Sequence, residues 1–469
     1  MSEPSPADLV VVGLGPGDPA LRTLGAQRAL DGARTIVLRT RVHPGIDDLR
    51  DDPRVTDCDD LYAGIRSFEE VYAAIAERVL GLAGVGRDGT VVFAVPGHPR
   101  FGERSVRLIE ERAVERGIAV SIQSAVSAVD AVATAIGADP LADDVQVIDA
   151  LGLASAIERD PFSGGSVLVD PHRPCLIGQV HAPHVAAAVK LALGRLYPDD
   201  HPILVVRAAG VPGEERLERC RLYELDRRPV DHLSSVWVPA LEALAAFRSA
   251  ATLQRIVALL RAPGGCPWDR EQTHGSLRPA VLEEAYEVAD AIDRTDAGNL
   301  EEELGDLLLQ VVLHAQIAEE AGEFALEDVV ERVARKLIRR HPHVFGTVEA
   351  RTPSDVVATW ESVKAEERSA SGVAKEQHPL DRLPRSMPAL LRATTLLGAW
   401  KERSPTAADP VAAKAAGDEL LTAVATAIRA GVDPERALDG ALRRRVADEA
   451  GHGATTGDET AGAGGDQRA

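Results

Sequence analysis

The chain has 469 residues, enough for two or three domains, and its formal net charge of −21 argues against non-specific binding to nucleic acids or anionic membranes. Such an acidic protein is suited to binding divalent cations. It has no apolar run near the roughly 18 residues of a membrane span, no basic secretion-signal segment and no cysteine pair at metal-ligand spacing, so we predict a cytoplasmic protein with reduced thiols.

Residues 1 to about 230 alternate short β-branched runs with helical patterns, which predicts an α/β domain over residues 1–240. The candidate strands are LVVVGLG (9–15), RTIVLR (34–39), GTVVFAVPG (89–97), IAVSIQ (118–123), SVLVD (166–170) and HPILVVRAAG (201–210). Residues 215–240 are expected to supply the closing strands.

The first candidate strand runs into a glycine-rich loop, GLGPGDP (13–19), whose spacing is not that of a dinucleotide-binding GxGxxG loop. Together with VVFAVPGHPRFGE (91–103) and residues 171–214, this loop resembles the tetrapyrrole (corrin/porphyrin) methylase family. The resemblance spans about residues 7–240. It implies that S-adenosylmethionine binds beside Gly15, Pro16, Gly97 and His98.

The second loop departs from the family pattern. Family members usually read GDP where this chain has Gly97-His98-Pro99, so an imidazole replaces a carboxylate beside the cofactor. Backbone groups can hold a cofactor without that carboxylate, so the change argues against methyl transfer more than against binding. The alternative role for His98 is a plain turn between a strand and a helix.

From Ala240 onward the strand signals vanish, and residues 250–398 predict helices only. In VLEEAYEVADAI (281–292), a helical wheel places Val281, Ala285, Val288 and Ile292 on one side and Glu283, Glu284 and Glu287 on another. Taken alone, such a charge cluster is typical of a solvated helix face.

The next helical stretch, LEEELGDLLLQVVLHA (300–315), is apolar in almost every direction, which predicts burial. Asn299 is the expected N-cap, with Glu302 at the capping-box position. The remaining sector is a narrow polar stripe of Glu303, Asp306, Gln310 and His314. Gly305 lies inside the helix at a cost of about 1 kcal/mol relative to Ala, which suggests close approach to a ligand or a neighbouring helix.

Carboxylates on a buried helix are costly unless they are compensated. Two carboxylate pairs facing each other across a helix pair have a natural partner in a hard divalent cation. Mg²⁺ prefers oxygen ligands and often binds through carboxylates together with substrate phosphates. The two helices therefore predict a magnesium site.

The order Glu283-Glu284-x-x-Glu287 and Glu303-x-x-Asp306 resembles the EExxE…ExxD signature of the MazG nucleoside triphosphate pyrophosphohydrolases. Residues 255–277, 336–346 and 360–368 resemble the family's supporting segments, so that the resemblance covers about residues 252–395. It implies an all-α fold that hydrolyses nucleoside triphosphates to monophosphate and pyrophosphate, as in nucleotide-pool housekeeping. The implied Mg²⁺ ligands are Glu284, Glu287, Glu303 and Asp306, with Glu283 supporting them or orienting water.

Several basic and aromatic residues are candidates for contacts with the substrate. Lys336, Arg339 and Arg340 are placed to balance the triphosphate charge, with Lys364 as a further candidate. Trp268 and Trp360 are candidates for stacking on the base. The alternatives are a solvated basic helix end for the cations and core positions for the tryptophans. His341 and His343 flank a proline, and we expect them to be structural.

The C-terminal segment 415–446 looks like a second copy of residues 303–340, with Gly417-Asp418 matching Gly305-Asp306. Ala415 stands where Glu303 stands in the first copy. We therefore predict a degenerate MazG-like segment over 399–449 that packs but binds no metal, followed by a disordered tail, 450–469. We also expect a homodimer through the helical domain.

Three functions remain open at this point. The first is a Mg²⁺-dependent pyrophosphohydrolase with a methylase-like partner domain, and it is favoured by the intact carboxylates. The second is an S-adenosylmethionine-dependent methyltransferase of a tetrapyrrole-like substrate, which His98 disfavours. The third is a non-catalytic nucleotide or S-adenosylmethionine sensor.

Overall fold

The computed structural model of the protein describes residues 7–62, 68–84, 89–159, 169–370, 383–384, 386–396 and 410–455. The chain forms two compact units, Met1–Val330 and Glu331–Ala469. The first unit therefore includes the α/β domain and the start of the helical region, whereas the change in sequence character lies near residue 240. The domain limits given above remain predictions.

The α/β domain is present as predicted, and a parallel five-stranded sheet forms its first part. Its strands are β1 (Leu9–Gly13), β2 (Thr35–Leu38), β3 (Val55–Asp57), β4 (Val91–Val95) and β5 (Val120–Ile122), in the order β3-β2-β4-β1-β5. Helices cover both faces of this sheet: α1 (Leu24–Asp31) packs on one, and α2 (Phe68–Ala83) and α3 (Arg104–Arg116) pack on the other. Burial on both faces explains why β1 and β4 read as continuous apolar runs.

A second five-stranded sheet is mixed, with the order β6-β7-β10-β8-β9. Its strands are β6 (Gln146–Asp149), β7 (Cys175–Gly178), β8 (Pro202–Arg207), β9 (Arg216–Arg221) and β10 (Ser234–Val238). Only β6 and β7 are parallel, and the other pairs are antiparallel. The associated helices are α4 (Ala128–Ile136), α5 (Ala150–Arg159) and α6 (Pro183–Leu193).

Most of the predicted strands are present, and two kinds of error occur. Strands β3, β6 and β7 were not predicted, because they are only three or four residues long and lack a run of β-branched residues. The candidate strand at 166–170 is wrong at residues 169 and 170, which are not in a strand, and its first three residues lie outside the described part.

Beyond residue 240 the described part of the chain contains helices and no strands, as predicted. The first unit ends with α7 (Ala250–Arg261), α8 (Pro267–Glu271), α9 (His274–Arg294), α10 (Ala297–Glu320) and the start of α11 (Leu326–Arg340). A small apolar core joins α7, α9 and α10 through Val257, Leu277, Val312 and Leu313. Among the described residues, no helix has the length and apolar character needed to cross a membrane.

The second unit continues with helices α12 (Pro342–Phe345), α13 (Pro353–Ala370), α14 (Ala389–Leu396), α15 (Pro410–Arg429) and α16 (Pro434–Thr455). Within this unit the buried Arg392 of α14 forms an ion pair with Asp439 of α16. Helix α16 continues to Thr455, six residues into the segment that we expected to be disordered. Residues 456–469 lie outside the described residues, so the tail prediction is not tested there.

Candidate functional site

Helix α9 presents one carboxylate on the face that packs. Its N-cap is Thr273, whose side chain accepts a hydrogen bond from the Ser276 amide. The buried and half-buried positions follow a four–three spacing: Leu277, Val281, Glu284, Val288 and Ala291. Glu284 therefore shares the packed face, whereas Glu283 and Glu287 are exposed. The expected apolar side was partly wrong, because Ala285 and Ile292 are exposed and the packed face turns toward Glu284.

Helix α10 begins earlier than we predicted. Asp296 is the N-cap and accepts hydrogen bonds from the amides of Gly298 and Asn299. The assignment of Asn299 as the cap was therefore wrong, because an acceptor three residues earlier already satisfies the free amides. Asn299 lies within the helix, four residues before Glu303.

The polar stripe of α10 is largely as predicted, but the helix is not buried all round. Glu303, Leu307, Gln310, His314 and Ile317 form one half-buried or buried line at three–four spacing, and Val312, Leu313, Ala315 and Ala318 are buried beside it. Leu304, Leu308 and Val311 are 49%, 49% and 42% exposed in the single chain. The expectation of complete burial was wrong, because no described residue of the first unit covers these three side chains.

Three of the four predicted cation ligands come together. One carboxylate oxygen from each of Glu284, Glu303 and Asp306 lies within 4.8 Å of the other two. Ligands of an octahedral Mg²⁺ lie about 2.9 Å apart when adjacent and about 4.1 Å apart when opposite, as follows from bonds of about 2.05 Å. Small side-chain rotations would bring three oxygens from 4.8 Å to such spacings, so the donor set suits a hard divalent cation.

The electrostatics of this cluster are unfavourable without a cation. Burial, followed by the charges of Asp306, Glu287 and Glu303, raises the pKa of Glu284. Burial and the charge of Glu287 likewise raise the pKa of Glu303. None of these four carboxylates forms an ion pair within the described part of the chain. Glu287 lies outside the group of three, yet it is near enough to add to its negative potential.

The polar stripe continues beyond the carboxylates into a pair of histidines. Gln310 is 7% exposed, and its Oε1 has no hydrogen-bond partner among the described residues. One turn later, Nδ1 of His314 lies 2.7 Å from Nδ1 of His274. The ring planes differ by 4° with centroids 5.0 Å apart, which at that N···N distance describes an edge-to-edge hydrogen bond rather than stacking. Burial, and then His274, lower the pKa of His314.

The predicted substrate contacts are distributed over both units. In the first unit, Trp268 is 62% exposed. In the second unit, Lys336 is exposed, Arg339 and Arg340 both pair with Glu367, and the Arg340 guanidinium lies 5.7 Å from the Trp360 ring centroid. Hydrogen bonds from Arg340, and then from Arg339, lower the pKa of Glu367 to about 2. The Lys364 side chain lies outside the described residues.

The two glycine-rich loops of the α/β domain bind each other. The Gly97 amide donates to the Gly15 carbonyl at 2.8 Å, and the Gly15 amide donates back to the Gly97 carbonyl at 3.3 Å. A Cβ on Gly13 would lie 2.2 Å from the Gly97 oxygen, so only glycine permits this approach. The His98 ring accepts a hydrogen bond from the Arg100 amide at 3.0 Å, as in a turn.

Beside these loops lies a cavity of about 370 Å³, lined by Pro16, Gly97 and His98 among others. Sequence reasoning missed two of its polar residues. His43 is 6% exposed and its Nε2 donates to the Gly15 carbonyl at 3.1 Å; burial lowers the pKa of His43 to about 4, so the ring is neutral. Arg39 forms an ion pair with Glu103 at 2.7 Å. No local pattern in the sequence marks either residue.

Comparison with known proteins matches two domain families. The model of the tetrapyrrole (corrin/porphyrin) methylases matches residues 8–226, and that of the MazG nucleotide pyrophosphohydrolase domain matches residues 272–345. The solved uroporphyrin-III-C-methyltransferase of Thermus thermophilus is 22% identical with a TM-score of 0.37, covering 49% of this chain and 94% of that one.

Two relatives differ in how much of the chain they cover. The nucleoside triphosphate pyrophosphohydrolase of Escherichia coli is 52% identical over 143 residues, which are 30% of this chain and about half (53%) of that enzyme. The "Uncharacterized protein YabN" of Bacillus subtilis is 39% identical over 391 residues, covering 83% of this chain and 76% of the relative. The chain therefore belongs to the same family as YabN, and it joins a tetrapyrrole methylase domain to a MazG domain.

Proposed function

We propose that the chain hydrolyses nucleoside triphosphates to the monophosphate and pyrophosphate at the carboxylate cluster of α9 and α10, with Mg²⁺. The observation that carries this proposal is the convergence of Glu284, Glu303 and Asp306 within 4.8 Å, inside the segment that matches the MazG domain model. The name of the Escherichia coli relative supports the reaction. A role in nucleotide-pool housekeeping is the corresponding cellular expectation.

The residues of the cluster have distinct parts in this proposal. Glu284, Glu303 and Asp306 bind the cation, and Glu287 completes the set from the exposed edge of α9. A bound Mg²⁺ supplies charge neutralisation at the phosphates and a lower pKa for a water molecule. Glu283, next to Glu284, orients or deprotonates the attacking water. Because burial, and then the neighbouring carboxylates, raise the pKa of Glu284 and Glu303, cation binding releases any protons that they retain.

The test is hydrolysis by the full chain with a panel of triphosphates, with the products identified by chromatography. We expect monophosphate and pyrophosphate in equal amounts with Mg²⁺, and no turnover in excess EDTA. Diphosphate and inorganic phosphate as products would contradict the proposed bond cleavage. The same panel identifies the preferred nucleotide, with Lys336, Arg339, Arg340, Lys364, Trp268 and Trp360 as the proposed substrate contacts.

For the α/β domain we propose binding of S-adenosylmethionine in the cavity beside the paired loops. The favourable observation is the tight Gly15–Gly97 pairing, which places backbone groups at the cavity edge. Calorimetric titration with S-adenosylhomocysteine tests binding, and an absence of heat at millimolar ligand would refute it. Methyl transfer to a tetrapyrrole-like substrate is the second candidate function. The presence of His98, where family members usually have a carboxylate, argues against it. A sensor without catalysis would bind ligand but show no hydrolysis.

A homodimer through the helical domain is the proposed assembly. Leu304, Leu308 and Val311 of α10 are 42% to 49% exposed, and Tyr286 of α9 is 62% exposed. Burial of such a surface drives association. Sedimentation equilibrium of the full chain should give twice the monomer mass, and a monomer at micromolar concentration would refute the proposal. We expect the dimer in the cytoplasm.

A further inference from the structure

The segment that enters α7 is fixed to the α/β domain rather than free. The Leu241 amide donates to the Pro171 carbonyl at 2.8 Å, and the Arg248 guanidinium donates to the Gly194 carbonyl. Ala246, between these two points, is fully buried. The start of the helical domain is therefore held in one position on the α/β domain, within the first compact unit.

A chain of three side chains completes this attachment. Asp170 Oδ1 lies 2.9 Å from Nδ1 of His172, and Nε2 of His172 lies 2.8 Å from the Thr252 hydroxyl on α7. Burial acts in the opposite direction, but hydrogen bonds from the His172 amide and ring hold the pKa of Asp170 below its usual value. The Asp170 carboxylate accepts a hydrogen bond from Nδ1–H of His172, and in this tautomer Nε2 accepts a hydrogen bond from the Thr252 hydroxyl. We call these three residues the latch.

The latch has the atom order of a catalytic triad but not the access of one. In a triad, the hydroxyl faces a substrate site. Thr252 is only 1% exposed and lies in the first turn of α7, so no substrate can reach its oxygen. The carboxylate–imidazole pair therefore orients a structural hydrogen bond. A buried hydroxyl held in this way fixes the position of the helix that carries it.

On the α/β side, the latch is continuous with the wall of the cavity. The Gln146 side chain donates to the Asp170 carbonyl at 2.7 Å and accepts from its amide at 2.9 Å. The same stretch of chain continues into β7, where Leu176 lines the cavity, and Gln179, just after β7, lines it as well. Gln179 has a φ of +64°, an unfavourable conformation of the kind that concentrates at functional sites.

On the helical side, α7 holds α9 and α10 in position. The core that the three helices share consists of Val257, Leu277, Val312 and Leu313. At the far end of α7, the Arg261 side chain is 6% exposed, pairs with Glu320 of α10 at 2.8 Å and donates to the Gln272 carbonyl just before α9. Because one helix contacts both carboxylate-bearing helices, its position influences how closely their carboxylates approach.

We propose that the latch couples the α/β domain to the carboxylate cluster, so that the state of the cavity wall sets the affinity of the cluster for a divalent cation. The inference rests on the proposed cation site. Typical coupling between two sites changes affinity by about 5- to 150-fold. The coupling is reciprocal, so a ligand that tightens the cavity wall strengthens cation binding, and the cation strengthens binding of that ligand.

The first test measures Mn²⁺ affinity of the full chain by calorimetry. Thr252→Val removes the hydroxyl with little change in volume, and we expect affinity to fall by about 5-fold or more. Thr252→Ser should restore it. Thr134→Val, which removes an exposed hydroxyl bonded only to its own helix, is the matched control and should have no effect. If Thr252→Val lowered the melting temperature but left the Mn²⁺ affinity unchanged within 2-fold, the latch would be only a structural contact and the proposal would be overturned.

The second test asks whether the cavity wall acts through the latch. Leu176→Ala, or Leu176→Val if the first variant is poorly folded, should weaken Mn²⁺ binding about 3-fold in the intact chain and add nothing to Thr252→Val. Additive effects would contradict the coupling. Amide exchange in α9 and α10, measured without any cation, separates the two proposals. If the wild type bound no Mn²⁺, the proposed cation site would be refuted. Independently, unchanged amide exchange of α9 and α10 in Thr252→Val would refute coupling through the latch.

Discussion

Replacement of Glu284 by Gln should make the protein less active and more stable at the same time. The side chain supplies one of three oxygens within 4.8 Å, and it is half-buried on the packed face of α9. An amide of the same shape leaves the packing intact but removes the charge. A bound metal ion stabilises the transition state by several kcal/mol. If Glu284 accounts for about 3 to 4 kcal/mol of that stabilisation, the rate of hydrolysis should fall about 10²- to 10³-fold.

The gain in stability follows from the raised pKa of Glu284. A carboxyl group whose pKa is raised on folding contributes full stability below its unfolded pKa and loses that contribution as pH rises through the folded value. At pH 7.5 without a cation, the ionised group therefore destabilises the fold. Two charges 4.8 Å apart in water repel by about 0.9 kcal/mol, and with two neighbours and salt screening the relief is about 1 kcal/mol. The melting temperature should rise by about 2 °C.

The assay combines hydrolysis in Mg²⁺ with calorimetric melting in EDTA at pH 7.5 and at pH 4. The stabilisation should disappear at pH 4, where the wild-type carboxyl is largely protonated. Asp293→Asn removes the same charge from an exposed position on the same helix and should change neither quantity. If Glu284→Gln kept activity within about 3-fold of wild type, or melted at a lower temperature at pH 7.5, the proposal that Glu284 is a cation ligand repelled by its neighbouring carboxylates would be refuted.

Three further predictions concern the helical region. Burial lowers the pKa of His314, so folding favours its neutral form, and the free energy of unfolding in urea should fall as pH drops below 6.5. His314→Gln should flatten that part of the plot of stability against pH, and an unchanged plot would contradict this. Val257→Ala in the shared core should lower the free energy of unfolding in urea by about 2 kcal/mol. Val114→Ala, at a valine that is 84% exposed, should lower it by less than about 0.5 kcal/mol, and equal losses would refute the core assignment. Asp418→Asn should leave turnover within about 2-fold, because Asp418 matches only one of the four proposed ligand positions in the C-terminal copy (415–446). A loss as large as that of Asp306→Asn would place the copy in the active site.

Sequence reasoning worked best where local periodicity and burial coincide. The strands β1, β2 and β4 were predictable because both of their faces are buried, which forces continuous apolar runs. Strand β6 escaped because it alternates half-buried and exposed positions over only four residues, at the edge of its sheet. The carboxylate pattern was readable because two pairs at i, i+3 spacing lie on adjacent helices.

Contacts between residues far apart in the chain could not be predicted in the same way. Helical spacing alone treated Glu284 and Glu287 as equivalent, yet only Glu284 shares the packed face, because Leu277 and Ala291 set the rotation of α9. The pairing of His172 with Thr252 joins residues 80 positions apart. No periodic pattern encodes such a pair, since it depends on how two domains dock.

The exposed side of α10 shows what the apolar pattern of this helix encodes. At about 100° per residue, Leu304, Leu308 and Val311 lie about 100° around the helix from the stripe that contains Glu303, whereas Asp306 lies about 60° away on the other flank. A second copy of the chain packed on the leucine side would therefore leave the Asp306 flank of the carboxylate cluster open. In the proposed dimer, subunit contact and substrate entry would therefore use opposite flanks of the helix, which is consistent with apolar residues on most of its sides. In the single chain these three apolar positions are 42% to 49% exposed, and this is the exposure that the proposed partner would remove.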